Sequence, residues 1–145
     1  MADKHIYTTS LRWDEQRKGI LSSEGLPDIE VATPPEFPKG HPGIWSPEHL
    51  FVASAEICLM TTFLAIAENS KLEFTSYSSS AEGVLEKTEN GFMITEITLR
   101  PRIVIPHEDK RDRAIRIITK AEKVCLISNS MKTAVHLEPE IVVQP

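Results

Sequence analysis

The chain has only two cysteines among its 145 residues, Cys58 and Cys125. No CxxC pair and no companion histidine motif goes with them, so a zinc or other metal site is not expected. The N-terminal stretch MADKHIYTTSLRW lacks an apolar signal core, and the protein reads as cytoplasmic. In that compartment a standing structural disulfide is unusual. Basic blocks are also missing. Lysine and arginine number 16 against 21 aspartates and glutamates, a formal net charge of −5. No nucleic-acid partner is expected from such a balance. No run reaches the roughly 18 apolar residues of a membrane span, so no membrane is expected either. The remaining composition is that of a globular chain, with 41% hydrophobic and 26% charged residues. The length suits a single domain over residues 1–145.

Proline and glycine divide the chain. Residues 5–12 and 18–23 read as short strands, SSEGLPD (22–28) as a turn, and IEVAT (29–33) as a half-buried strand. Residues 34–47 hold Pro34, Pro35, Pro38, Pro42 and Pro47, a density that no helix or central strand survives. A helix then starts with Ser46 as cap, Pro47 in the first turn and Glu48 at the positive end of the dipole. It runs to about Asn69 with apolar residues on nearly every side, which predicts burial on several sides. Residues 74–88 and 92–106 alternate as strands around Asn90-Gly91, a hairpin signal. A second helix is predicted from about Glu108 to Val124, a turn-like segment over CLISNS (125–130), and one final strand over 134–143. The fold class is α+β: antiparallel sheet around a long buried helix, with a second helix.

Cys58 lies mid-helix, with Ser54, Ala55, Thr61 and Thr62 three and four residues away. These small neighbours suit close packing against another helix first, and also a small cavity beside the sulfur. A nucleophilic cysteine must be a thiolate, and apolar burial opposes that. The helix dipole does not reach mid-helix, so a cation would have to come from elsewhere: Arg12, Arg17, Arg100 or Arg102. Cys125 follows the C-terminal end of the second helix, whose dipole raises a thiol pKa. It therefore suits a resolving role better than an attacking one. Two inert buried thiols remain an open reading.

SPEHLFVASAEICLMTTFLAIA resembles the signature of the OsmC/Ohr family, the osmotically inducible and organic hydroperoxide resistance proteins. KAEKVCLISNSM resembles its second cysteine motif, and LSSEGLPDIEVATPPEF the segment before the central helix. The resemblance covers nearly the whole chain in order. It implies an OsmC-like intertwined homodimer that reduces organic hydroperoxides, and hydrogen peroxide less well. It needs no cofactor beyond an external dithiol or lipoyl-type reductant. Carried over by position, Cys58 would be the peroxidatic thiolate and Cys125 the resolving thiol, with Glu48 holding a catalytic arginine. Arg17 is the nearest match for that arginine, although the glycines usual around it are here DEQRK; Arg12 is the fallback. Phe51, Ile57, Met60 and Phe63 would supply apolar substrate-binding walls. A non-catalytic OsmC-like domain that binds a small molecule or serves a stress response, with inert cysteines, is the alternative. Glu48 and Cys58 are ten residues apart, about 15 Å of helix rise. Either the helix is broken between them, or Glu48 serves Cys58 of a partner subunit.

Overall fold

The computed structural model describes residues 3–145. The chain falls into two compact units, one ending at Leu50 and the other running Phe51–Pro145. The first unit contains β1 (Ser10–Trp13), β2 (Lys18–Ser22) and β3 (Ile29–Ala32), an antiparallel sheet in that order. The Asp14–Arg17 turn reverses the chain, with the Trp13 indole donating to the Gln16 carbonyl (3.0 Å). The proline-rich stretch is an ordered loop tied to this sheet. Ala32 N–H donates to the Trp45 carbonyl (2.9 Å), and His41 N–H to the Thr33 carbonyl (2.9 Å).

The helix α1 (Pro47–Asn69) begins where the capping signals put it. The buried Ser46 hydroxyl accepts the His49 N–H (3.0 Å), satisfying one of the donors a helix start leaves unpaired. Pro47 fits the first turn because its missing N–H is not needed there.

In the second unit α1 is buried along one stripe, Ala55, Cys58, Leu59, Phe63 and Ala67. The expectation of burial on several sides is not met within the chain, since Phe51, Ile57 and Leu64 remain 37%, 57% and 39% exposed. α1 is also long and apolar enough, by length and composition alone, to cross a membrane. Interrupting glutamates hide this from a search for uninterrupted apolar runs.

The strands β4 (Ser76–Thr88) and β5 (Gly91–Ile105) form the long hairpin, with Thr88 paired to Gly91. Its two loop residues are Glu89 and Asn90, one residue earlier than the Asn-Gly signal suggests. Gly91 takes the positive φ (98°) that glycine tolerates. Glycine is needed at Gly83 for another reason: a Cβ there would lie 2.5 Å from Val52 Cγ2, so β4 packs closely on α1.

A short 3-10 turn (Glu108–Lys110) leads into α2 (Arg111–Lys123), which buries Ala114, Ile117, Ile118 and Ala121. The single final strand expected from sequence is two, β6 (Ala134–Leu137) and β7 (Glu140–Val143), interrupted around Pro139. Both pair with β5 in parallel, making this a mixed sheet. The physical reason is the crossover: a helix between two strands of one sheet returns the chain in the same direction. Leu59, Phe63, Ile97, Leu99, Ile103, Ile105 and Ile118 are fully buried in the shared core. Each such side chain contributes about 1.5–3 kcal/mol relative to exposure.

Candidate active site

Between α2 and β6 lies an element that the sequence hides. Cys125 is extended (φ −64°, ψ 113°), and a single-turn helix, α3 (Leu126–Asn129), starts immediately after it. This turn replaces the irregular segment expected over CLISNS. It carries Cys125 and two backbone amides to the middle of α1.

There the Cys58 and Cys125 side chains lie close enough for each to shift the other's ionisation. Both are free thiols, 8% and 0% exposed respectively. Burial is the largest single influence on Cys58, and it opposes ionisation. The Cys125 thiol, the Ile127 N–H, the Thr62 hydroxyl and the Leu126 N–H together outweigh it, so the Cys58 pKa lies below the ordinary thiol value. Thr62 Oγ1 stands 3.8 Å from the sulfur, one helical turn along. The environment of Cys125 pushes the other way. Burial raises its pKa first, and the hydrogen bond and negative charge of Cys58 raise it further, against the lowering effect of Ser128. The surroundings thus favour ionisation of Cys58 over that of Cys125.

Within this unit the neighbouring thiol, hydroxyl and amides favour the Cys58 thiolate. Arg100 bridges Glu82 (3.1 Å) and Glu138 (3.0 Å), and Arg102 pairs with Glu140 (3.3 Å), all exposed. Of the other sequence candidates, Arg17 lies exposed in the β1–β2 turn, and Arg12 lies exposed on β1, paired with Ile20. Glu48 is in the first turn of α1, with Oε1 buried and unpartnered among the described residues. α1 is unbroken from Pro47 to Asn69, so the rise of about 15 Å between Glu48 and Cys58 stands.

The four apolar wall residues do not share one surface. Phe63 is in the core, 5.3 Å from Phe74 and 5.2 Å from Tyr77 between ring centroids. Met60 is half-buried and Ile57 exposed. At about 100° per residue, Met60 and Phe63 point well away from the side of α1 that carries Cys58. Phe51, seven residues before Cys58, is on the same side.

Glu122 and Ser128 lie near Cys125, with Tyr77 near Glu122, and sequence reasoning did not single them out. Glu122 lies on the last turn of α2, Ser128 on α3 and Tyr77 on β4. Burial raises the Glu122 carboxyl above the usual carboxylate range, against a lowering effect of Ser128. Burial raises the Tyr77 phenol strongly, helped by the charges of Glu56 and Glu122. Glu56 is itself held by the Ser79 hydroxyl (2.5 Å). In sequence Glu122 reads as one more charge on a solvated helix face. Only its position three residues before Cys125 could have marked it.

A family model described as OsmC-like protein matches residues 40–140. With most of its length matched, the chain belongs to the OsmC-like protein family. Among its relatives is the uncharacterized YmaD of Bacillus subtilis, 28% identical over 147 residues, covering 99% of this chain and 97% of that one. An organic hydroperoxide resistance protein of Xanthomonas axonopodis pv. citri is 28% identical over 132 residues, with 90% of each chain covered. Among solved structures, an OsmC-like protein of unknown function from Vibrio cholerae superposes with a TM-score of 0.85 at 25% identity, covering 94% of this chain and 99% of that one. An organic hydroperoxide resistance protein from Legionella pneumophila gives 0.71 at 26% identity, covering 96% and 99%.

Proposed function

We propose that the protein is a two-cysteine thiol peroxidase that reduces organic hydroperoxides. The observation that carries this reading is the placing together of two buried free thiols, Cys58 and Cys125, with the first pKa lowered and the second raised. The relatives named for organic hydroperoxide resistance support it at the level of the family.

The Cys58 thiolate attacks the distal oxygen of the peroxide, the O–O bond breaks, and the alkoxide leaves as alcohol after taking a proton. The sulfur becomes a sulfenic acid. The Leu126 and Ile127 amides stabilise the thiolate before attack and the negative charge near the sulfur during it. The Cys125 thiol then attacks the sulfenic sulfur, forming the Cys58–Cys125 disulfide and releasing water. An external dithiol, of which a lipoyl-type group is one form, reduces the disulfide by exchange.

The protein acts as a homodimer in this reading. The exposed Ile57 and Leu64 of α1 and the exposed Leu11 and Trp13 of β1 are the apolar surfaces a partner subunit would cover. In this reading Glu48 serves the partner's site, with Arg17 or Arg12 as the arginine it would hold.

Mass spectrometry after one equivalent of cumene hydroperoxide tests the reading. The expected product is an intramolecular Cys58–Cys125 disulfide, and Cys58→Ser should abolish peroxide consumption. An unchanged count of free thiols would refute the peroxidase.

A further inference from the structure

Two buried polar atoms near the resolving cysteine have no hydrogen-bond partner that meets ordinary geometry: Glu122 Oε2 and Ser128 Oγ. Buried polar atoms are seldom left so, because an unpaired one bears its full desolvation penalty. Their arrangement is a chain. The Ser128 hydroxyl lies near both the Cys125 sulfur and the Glu122 carboxyl, with no hydrogen bond of ordinary geometry to either. The turn of α3 fixes Ser128 three residues after Cys125, and the end of α2 fixes Glu122 three before it, with Cys125 N–H donating to the Glu122 carbonyl (3.3 Å). The titratable groups facing this chain are Cys58 and Glu56 from α1 and Tyr77 from β4.

We propose that Glu122, acting through the Ser128 hydroxyl, accepts the proton of Cys125 when that thiol attacks, which makes Glu122 a positioning residue for disulfide closure. The inference rests on the disulfide step of the proposed function. A resolving thiol that keeps its proton protects Cys58 by donating to it, but it must lose that proton to attack. The Cys125 proton moves to Ser128 Oγ while the Ser128 proton moves to the Glu122 carboxylate. The new bond joins the two sulfurs, the sulfenic oxygen leaves as hydroxide, and that hydroxide takes up a proton as water. Burial tunes the carboxyl toward this work by raising it, since a base serves best with a pKa near the working pH.

The test must not depend on peroxide chemistry. Methyl methanethiosulfonate places a methyl disulfide on Cys58. Cys125 then closes the Cys58–Cys125 bond and expels methanethiol, followed by quenched mass spectrometry across pH. Wild-type closure should rise through the titration of Glu122 and then level off. In Glu122→Gln and Ser128→Ala, closure should be slower by about tenfold or more near neutral pH, with no plateau, rising until Cys125 itself ionises. Initial labelling of Cys58 should change by less than about twofold in either variant, because neither side chain touches its sulfur. Wild-type closure rates and pH profile in Glu122→Gln would overturn the relay, as would a variant that melts lower but keeps that profile. A protein inert to cumene hydroperoxide whose methyl disulfide still closes in a Glu122-dependent way would refute the peroxidase and sustain the relay.

Discussion

Cys58 and Cys125 are the same chemical group in two environments, and the groups around each sulfur make the difference. Iodoacetamide labelling of Cys58 should therefore titrate below the ordinary thiol value, while Cys125 titrates above it. Rates followed by mass spectrometry as a function of pH would show two separated inflections. Glu122 leads to a prediction about stability. Its carboxyl is raised in the folded state, so the fold binds that proton more tightly than the unfolded chain does. The stabilisation is complete below the ordinary carboxylate value and is lost as pH rises through the raised one. Glu122→Gln has no charge to bury, so its melting temperature should gain on wild type between acid and neutral pH. Calorimetry at several pH values gives the sign directly.

At the scale of elements, the one-turn helix α3 is decisive for the site. Leu126 is its first residue and 66% exposed, and Cys125 before it is already extended. Proline suits both the first helical position and an extended predecessor. Leu126→Pro should thus keep the fold while deleting one amide donor to Cys58. Hydrogen bonds to charged groups are worth about 1.5–3 kcal/mol, so labelling of Cys58 near neutral pH should slow by roughly tenfold. The start of α1 was legible because Ser46, Pro47 and Glu48 are side-chain signals with a fixed positional meaning. The hairpin was legible from Asn90-Gly91 to within a residue, and α2 from its apolar stripe. α3 was not, because a four-residue helix has no periodicity and its working groups are main-chain amides that every residue carries. The pairing direction of β6 and β7 was equally hidden, since alternation shows which side chains face inward and not which way a strand runs. The two cysteines were legible as a pair, whereas their contact depends on long-range packing of α2 and α3 beside α1. Close packing also constrains Gly83. A methyl group there meets Val52 at 2.5 Å, so Gly83→Ala should cost about 1–3 kcal/mol, read from denaturant midpoints.

For the whole molecule, the exposed apolar side of α1 sets an expectation of assembly. Sedimentation or light scattering should give twice the chain mass of 16.3 kDa. Ile57→Asp, on a residue 57% exposed within the chain, should shift the protein toward monomer if that side is covered in the dimer. The amide contact at Cys58 also links chemistry to folding. Cys58 comes before the long hairpin in the chain, and Leu126 and Ile127 come after it. A nascent or partly unfolded chain therefore displays Cys58 as an ordinary, mostly protonated thiol, and its special reactivity arises only once α3 has closed over it. The sulfur is in effect a built-in gauge of the native state: its labelling rate in rising urea should collapse with the same midpoint as the loss of helix signal.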